Sequence, residues 1–218
     1  MERTSLFSLQ SLLSGFVLAV TLPVAAAAQV QMIDCRTPER PSVGAVAGRS
    51  SAYVELARGA VTTGQSESVL VGGGPVVTAR GEAPIAGPLR LRVDGSAGRW
   101  DVIRRTYDPV AGYAVTSTQS IGHIDFREIG GAIGLRGGRT PVCAQVFAGG
   151  GLYSLTFRGT TLRRPGVALA AGIEFPTGAR GRVQVDVKLH IIDIDNRPPF
   201  TGTQALAAAL TAGWTWGF

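Results

Sequence analysis

The chain has 218 residues, of which 45% are hydrophobic and only 17% are charged, and its 30 glycines are roughly twice the usual share. This composition excludes a disordered tail or a coiled coil, which need more charge and less glycine. It also disfavours a helical enzyme, because a glycine inside a helix costs roughly 1 kcal/mol relative to alanine. The net charge of +6 comes almost entirely from arginine, since Lys188 is the only lysine, and arginine suits bidentate carboxylate and phosphate partners.

Residues 1–28 have the pattern of a secretory signal peptide. An apolar run from Leu12 to Ala28 follows a short segment that holds Arg3, and it ends in four alanines before Gln29. The run is short for a membrane-spanning helix, and its small terminal residues fit a cleavage site, with an uncleaved anchor as the alternative. We therefore expect an exported mature chain, in which residues 29–42 form a periplasmic N-terminal segment.

The mature sequence alternates with a period of two. Between Arg182 and Ile191 every second residue is apolar and the residues between them are polar or charged, which is typical of a strand. No other segment approaches the ~20 apolar residues of a transmembrane helix, so a place in a membrane would require a closed barrel. The pattern predicts eight strands: Val43–Leu56, Val69–Ala79, Leu89–Ala97, Glu128–Arg136, Val142–Phe157, Gly166–Phe175, Arg182–Ile191 and Gln204–Phe218.

This pattern leaves open which way the first and fifth strands face, and the second strand contains a proline. In the first strand, the parity that we choose places Arg49 and Glu55 inside. Pro75 in the second strand cannot donate a ladder hydrogen bond and predicts a bulge or boundary. Glycines on both faces of the fifth strand leave its parity open, and we assign the following residues outward: Phe147, Tyr153, Leu155 and Phe157.

The predicted connections alternate in length. Those after strands two, four and six are mostly short and hold Pro and Gly: 80–87, 137–141 and 176–181. Those after strands one, three, five and seven are generally longer and more polar: 58–67, 106–122, 158–165 and 196–203. This asymmetry is typical of an outer-membrane barrel with short periplasmic turns, longer external loops and both termini in the periplasm.

The last strand carries aromatic residues on one face. Its outward positions end in Trp214, Trp216 and Phe218, whereas its other face consists of small residues. A soluble sheet would expose these aromatics on an edge strand, which favours aggregation. The ending resembles the C-terminal assembly signal of bacterial outer-membrane barrels, and the resemblance implies that these three residues are read by the assembly machinery.

The mature chain as a whole resembles the small eight-stranded outer-membrane barrels, typified by the membrane domain of OmpA and by OmpX and OmpW-like proteins. The resemblance rests on the signal peptide, the strand count, the loop asymmetry and the ending Trp-Thr-Trp-Gly-Phe. It implies an all-β, eight-stranded antiparallel up-and-down transmembrane barrel over residues 43–218. It also implies a location in the cell outer membrane.

The inward positions of the predicted strands carry both signs of charge. Eight strands enclose just enough room for side chains to fill, and buried charges must neutralise one another. We therefore expect an ion-pair network that plugs the lumen, with a narrow or gated ion path as the alternative. The network is predicted to contain Arg90, Arg92, Asp94, Glu128, Arg136, Glu174, Arg182, Asp186 and Lys188.

Arginines also gather in the predicted external segments. Guanidinium groups bind phosphate bidentately, and the outer leaflet carries the phosphates of lipid A, so lipopolysaccharide is the expected contact. The alternative is that these arginines are solvated loop residues, partly paired with Asp108 and Asp195. The predicted contacts are Arg104, Arg105, Arg158, Arg163, Arg164 and Arg197.

Cysteine and histidine offer few sites. Cys35 and Cys143 lie on the periplasmic side of the topology, where an oxidising compartment permits a disulfide between them, with two free thiols as the alternative. His190 shares a face with Asp186 but lies about 13 Å from it along the strand, too far to form an orienting hydrogen bond. We predict no catalytic residues, no cofactor and no metal site.

These features predict a barrel with a structural or surface-interaction role, acting on the envelope through lipid and lipopolysaccharide contacts. We expect a monomer that binds no nucleic acid. A small-solute channel or transporter is the first alternative, and a lipid A-modifying enzyme, which needs a rim histidine close to a serine, is the second.

Overall fold

The computed structural model describes residues 40–56, 67–108, 110, 112, 114–139, 142–177, 180–196 and 198–218. The signal peptide and nearly all of the predicted N-terminal segment lie outside these residues and stay predictions. Among the described residues no helix has the length and apolar character needed to cross a membrane. The strands are β1 (Ser42–Leu56), β2 (Glu67–Val71), β3 (Gly74–Ala86), β4 (Leu89–Asp108), β5 (Ala114–Arg139), β6 (Val142–Phe157), β7 (Thr160–Pro176), β8 (Gly181–Asp193) and β9 (Phe200–Gly217).

The nine strands occupy eight strand positions of a closed antiparallel ring, which confirms the predicted fold class. From β3 to β9 each strand pairs with the next, and β9 and β3 both pair with β1. The remaining strand, β2, precedes β3 and pairs with the part of β4 that β3 does not reach. β2 and β3 together therefore fill one position of the ring. We call the end of the barrel that holds Ser42 and Gly217 the inner end, and the opposite end the outer end.

The second position is interrupted at Gly72 and Gly73, and β3 begins at Gly74, one residue before Pro75, where the sequence predicted a bulge or boundary. A Cβ atom on Gly73 would lie 2.7 Å from the carbonyl oxygen of Ser50, and one on Gly74 would overlap the carbonyl oxygen of Arg99. The backbone therefore comes too close to both neighbouring strands for a side chain, and glycine permits the break.

The outer face of the barrel is strongly apolar. Alternate residues of the strands point outward and expose aliphatic side chains around the wall, with aromatic ones near the inner end. A soluble monomer rarely exposes a continuous apolar patch of this kind. The exposed residues include Val43, Val77, Leu91, Val93, Ile129, Ile133, Leu135, Leu152, Val167, Leu169, Phe175, Leu210, Trp214 and Trp216.

The prediction of a turn over 80–87 was wrong. β3 continues to Ala86, and only Gly87 and Pro88 separate it from β4. Glycine and proline near these residues resemble a turn, but each residue from Ser42 to Ser50 of β1 pairs with β3, and this pairing extends as far as Glu82. As a result Arg80 and Glu82 are buried inside the barrel.

Two strands face the other way from the prediction. In β6 the aromatic and leucine side chains that were assigned outward are buried inside the barrel: Phe147, Tyr153, Leu155 and Phe157. In β1 the exposed positions include Arg49 and Glu55, so neither contributes to the lumen. Both strands carry small residues on each face, and therefore their side-chain pattern alone does not decide which face is buried.

The connections after β4 and β6 are shorter than predicted. β4 and β5 extend as a paired hairpin to Asp108 and Ala114, inside the segment predicted as a loop. The predicted loop 158–165 is instead a two-residue turn, Arg158 and Gly159, after which β7 begins. Arg163 and Arg164 therefore lie in a strand.

Candidate functional site

The inner half of the lumen holds a network of ion pairs. At its centre Lys188 Nζ donates to Asp94 Oδ2 at 2.9 Å and to Glu128 Oε1 at 2.7 Å. Arg80 Nε donates to the other oxygen of Asp94 at 2.9 Å, and its guanidinium also pairs with Asp186. One lysine and one arginine therefore connect three carboxylates that come from three different strands.

The network continues towards the inner end through Glu174. This carboxylate is wholly buried, pairs with Arg136 and lies 3.8 Å from Arg182 Nη1. Gln184 Nε2 donates to Glu174 at 2.8 Å, while Gln184 Oε1 accepts from Arg80 at 3.1 Å. The amide thus joins the Glu174 group to the central ion pairs.

A second branch of the network depends on residues that sequence reasoning missed. Arg92 pairs with Glu82 at 2.6 Å, and its guanidinium stacks 3.6 Å above the ring of Phe147. Gln145 Nε2 donates to Asp186 at 2.9 Å. Only the correct extent of β3 and the correct facing of β6 bring these groups together, because Glu82 and Phe147 were both placed outside the lumen.

The structure places every predicted network residue inside the barrel with its side chain buried. These residues are Arg90, Arg92, Asp94, Glu128, Arg136, Glu174, Arg182, Asp186 and Lys188. With Arg80 and Glu82 added, the interior of the described strands holds six cations and five carboxylates. The two signs nearly cancel, as buried charges require.

The outer half of the lumen is filled differently, by an apolar cluster that the sequence did not reveal. Trp100 and Phe126 stack with ring centroids 4.8 Å apart, and both are buried. Trp100 Nε1 donates to Ser50 Oγ at 2.9 Å, which satisfies its polar atom. The cluster also contains Val54, Val102, Ile124, Leu155, Phe157, Leu162, Ile192, Ile194 and Phe200.

Glu128 lies where the ion-pair network of the inner half meets the apolar cluster of the outer half. It accepts hydrogen bonds from Ser96 at 2.9 Å and from Tyr153 at 3.3 Å, in addition to its pair with Lys188. His190 Nδ1 lies 3.3 Å from the Tyr153 hydroxyl, and the His190 ring packs edge-on against Phe126. The partner of His190 is therefore Tyr153 and not Asp186.

The predicted rim arginines are spread over two parts of the outer end. Arg105 is exposed and Arg104 is half-buried on β4, next to β2. Arg158 lies in the β6–β7 turn and donates to the carbonyl oxygen of Ile121 at 3.4 Å. Arg163 is exposed on β7, and Arg164 pairs with Asp195. The remaining predicted contact, Arg197, lies outside the described residues.

The aromatic residues of the predicted assembly signal face outward at the inner end. Trp214, Trp216 and Phe218 are 43%, 48% and 58% exposed. β9 is hydrogen-bonded on both sides, to β1 and to β8, so only these side chains and not its backbone edges are accessible in the folded barrel.

Cys143 is wholly buried near the inner end of β6 and is disulfide-bonded. Cys35 lies outside the described residues, so the pairing of Cys35 with Cys143 stays a prediction. Its test is whether non-reducing mass spectrometry finds the two peptides joined.

Solved structures that share this fold include the following two. The Neisserial surface protein A, NspA, aligns with a TM-score of 0.55 and 15% identity over 82% of this chain and 97% of that chain. The outer-membrane protein OprG of Pseudomonas aeruginosa aligns with a TM-score of 0.54 and 9% identity over 85% of this chain and 99% of that chain. No protein-family model matches the sequence, and no curated protein matches it significantly. The chain therefore has the eight-stranded barrel fold of these small bacterial surface and outer-membrane proteins.

Proposed function

We propose that this chain is an outer-membrane barrel with a closed lumen, which acts through its outer end by contacting lipopolysaccharide. The apolar outer wall supports a place in a lipid bilayer, because burying that wall in hydrocarbon removes it from water. A closed barrel leaves no unpaired strand edge within the membrane. The proposal assigns no catalytic step to the chain.

The filled lumen supports a structural or surface-interaction role over the narrow-channel alternative. Ion pairs occupy the inner half and packed apolar side chains occupy the outer half. An ion that crossed the barrel would have to displace charged groups from their partners and then enter an apolar layer without hydration, and both steps are costly.

The single observation that carries the proposed contact is the position of exposed arginines at the outer end. Arg105, Arg158 and Arg163 are all exposed there. In an outer membrane with the termini on the periplasmic side, this end meets the outer leaflet, where lipid A presents phosphate groups. A guanidinium group forms bidentate, charge-assisted hydrogen bonds with phosphate.

The test is the amount of lipopolysaccharide that co-purifies with two matched double variants. Arg105→Gln/Arg158→Gln removes two exposed arginines from the outer end, whereas Arg40→Gln/Arg180→Gln removes two from the inner end. We expect a several-fold loss of bound lipopolysaccharide for the first variant and no change for the second. Equal retention by both variants would reject the proposed contact.

The proposal also includes recognition of β9 by the outer-membrane assembly machinery. The outward facing of Trp214, Trp216 and Phe218 supports it, because these side chains are presented on one surface. They remain accessible while the strand edges of β9 are paired.

A further inference from the structure

The barrel wall has a gap at its outer end between β7 and β8. β7 begins at Thr160, but its pairing with β8 begins only at Gly166, opposite Ile192. Within the described part of the chain, residues 160–165 therefore pair with β6 on one side and have no β8 partner on the other. On that side Arg164 contacts Asp195, in the segment that connects β8 to β9.

A cleft of about 220 Å³ occupies this gap. Thr160, Thr161, Arg163 and Arg164 line it from β7, and Pro198 and Phe200 line it from the β8–β9 side. Its volume is below the roughly 300–1,000 Å³ of pockets that hold drug-sized ligands, so it suits one small group. The two arginines make the β7 side of the cleft cationic, which favours an anion, whereas Leu162, Pro198 and Phe200 are apolar.

A carboxylate of the protein itself, that of Asp195, already pairs with Arg164 of this cleft. The guanidinium of Arg164 pairs with Asp195, whose side chain is 55% exposed. Asp195 and the next residue, Asn196, have φ angles of 54° and 43°, in the left-handed region that Asp and Asn tolerate in turns, and Asn196 N donates to the carbonyl oxygen of Gly202 at 3.1 Å.

We propose that this cleft binds a small phosphate ester, such as a phosphorylated sugar, whose phosphate replaces the Asp195 carboxylate on Arg164. Asp195 accepts from one guanidinium nitrogen of Arg164, and Arg164 Nε is buried without a hydrogen-bond partner among the described residues, so a phosphate that accepts two parallel hydrogen bonds would satisfy a donor that Asp195 leaves open. Strand alternation places Thr160 on the same face of β7 as Arg164, so the Thr160 hydroxyl group supplies a further donor. The inference deepens the proposed function, because the lipid A headgroup is one source of this chemistry and a soluble sugar phosphate is the other.

The test uses the full-length protein in detergent micelles and measures the affinity for glucosamine 1-phosphate by calorimetry, with glucosamine as the uncharged comparison. We expect saturable binding of the phosphate ester alone and at least a tenfold loss of affinity in Arg164→Gln. Arg99→Gln is the matched control, since Arg99 is an exposed arginine near the same end and pairs with Asp125 at 3.1 Å. It should bind like the wild type.

Asp195→Asn separates a binding site from a merely structural ion pair. The substitution removes the internal competitor, so it should tighten binding of the phosphate ester several-fold. Weaker binding by Asp195→Asn, unchanged binding by Arg164→Gln, or equal binding of glucosamine and its phosphate would each overturn the inference.

The outcomes also separate this inference from the proposed function. Binding of glucosamine 1-phosphate without any lipopolysaccharide on the purified protein supports the cleft and rejects the lipid contact. Lipopolysaccharide that is lost in Arg105→Gln/Arg158→Gln but retained in Arg164→Gln supports the lipid contact and rejects lipid A as the ligand of the cleft, whereas loss of glucosamine 1-phosphate binding in Arg164→Gln still supports the cleft.

Discussion

Lys188 holds together two carboxylates of the inner lumen. Its ammonium group lies 2.9 Å from Asp94 and 2.7 Å from Glu128, and all three side chains are at most 10% exposed. Removing one partner of a buried ion pair costs about 3–5 kcal/mol, because the remaining charge is left uncompensated. We therefore expect Lys188→Met to lower the free energy of unfolding by that order, measured by urea unfolding in lipid vesicles.

The control for this prediction is an exposed ion pair of the same barrel. Arg99 and Asp125 are 56% and 41% exposed, so Arg99→Gln should change stability by less than about 1 kcal/mol. The double variant Lys188→Met/Glu128→Gln should recover part of the loss, because it removes the carboxylate that was left unpaired. Strictly additive losses would show that the two residues do not interact.

The sequence predicted interior residues well only where the two faces of a strand differ in chemistry. In β8 charged or amide residues alternate with aliphatic ones, so the facing of Asp186 and Lys188 follows directly from the period of two. In β6 glycine lies on both faces, and only pairing with β5 decides that Phe147 points inward. The apolar outer cluster was missed for the same reason, since three of its members, Tyr153, Leu155 and Phe157, come from β6.

At the scale of elements, the close approach of β5 requires glycine at position 149 of β6. A Cβ atom on Gly149 would overlap the carbonyl oxygen of Gly131 and would lie 2.5 Å from the Cα atom of Ala132. Neither atom can move without shifting the β5 backbone. Gly149→Val should therefore reduce the fraction of folded barrel several-fold, measured by heat-modifiable gel migration after refolding.

A glycine with open space is the matched comparison. A Cβ atom on Gly95 would have no neighbour within 4 Å, and Gly95 faces outward on β4. Gly95→Val should fold with the wild-type yield, since valine adds only a lipid-facing side chain. Equal yields of the two variants would show that the β5–β6 approach does not need glycine at position 149.

The ends of the strands were harder to predict than their middles. β4 and β5 stay paired as far as Asp108 and Ala114, although residues 114–120 are exposed on both faces. Backbone hydrogen bonds continue there, but no lipid or core selects an apolar face, so the alternation that identifies a strand disappears. The sequence therefore indicates the length of the half-buried wall and not the length of the hydrogen-bonded strand.

At the scale of the whole molecule, two different layers close the same lumen. An eight-stranded barrel has an interior just wide enough for side chains to fill. The ion-pair layer is polar and could admit water if a side chain were removed, whereas the outer layer around Trp100 and Phe126 is apolar and excludes ions. Each layer should therefore be sufficient to block the barrel by itself.

This arrangement predicts the conductance of a small set of variants in planar bilayers. The wild type and Lys188→Met should show no stable conductance, because the apolar layer remains in both. Trp100→Ala/Phe126→Ala should also stay closed, since the ion pairs of the inner half are intact, and only the triple variant should conduct. Stable wild-type conductance that Arg182→Ala abolishes would instead show an open path along the charged interior. Conductance in Lys188→Met alone would show that the apolar layer does not seal the outer half.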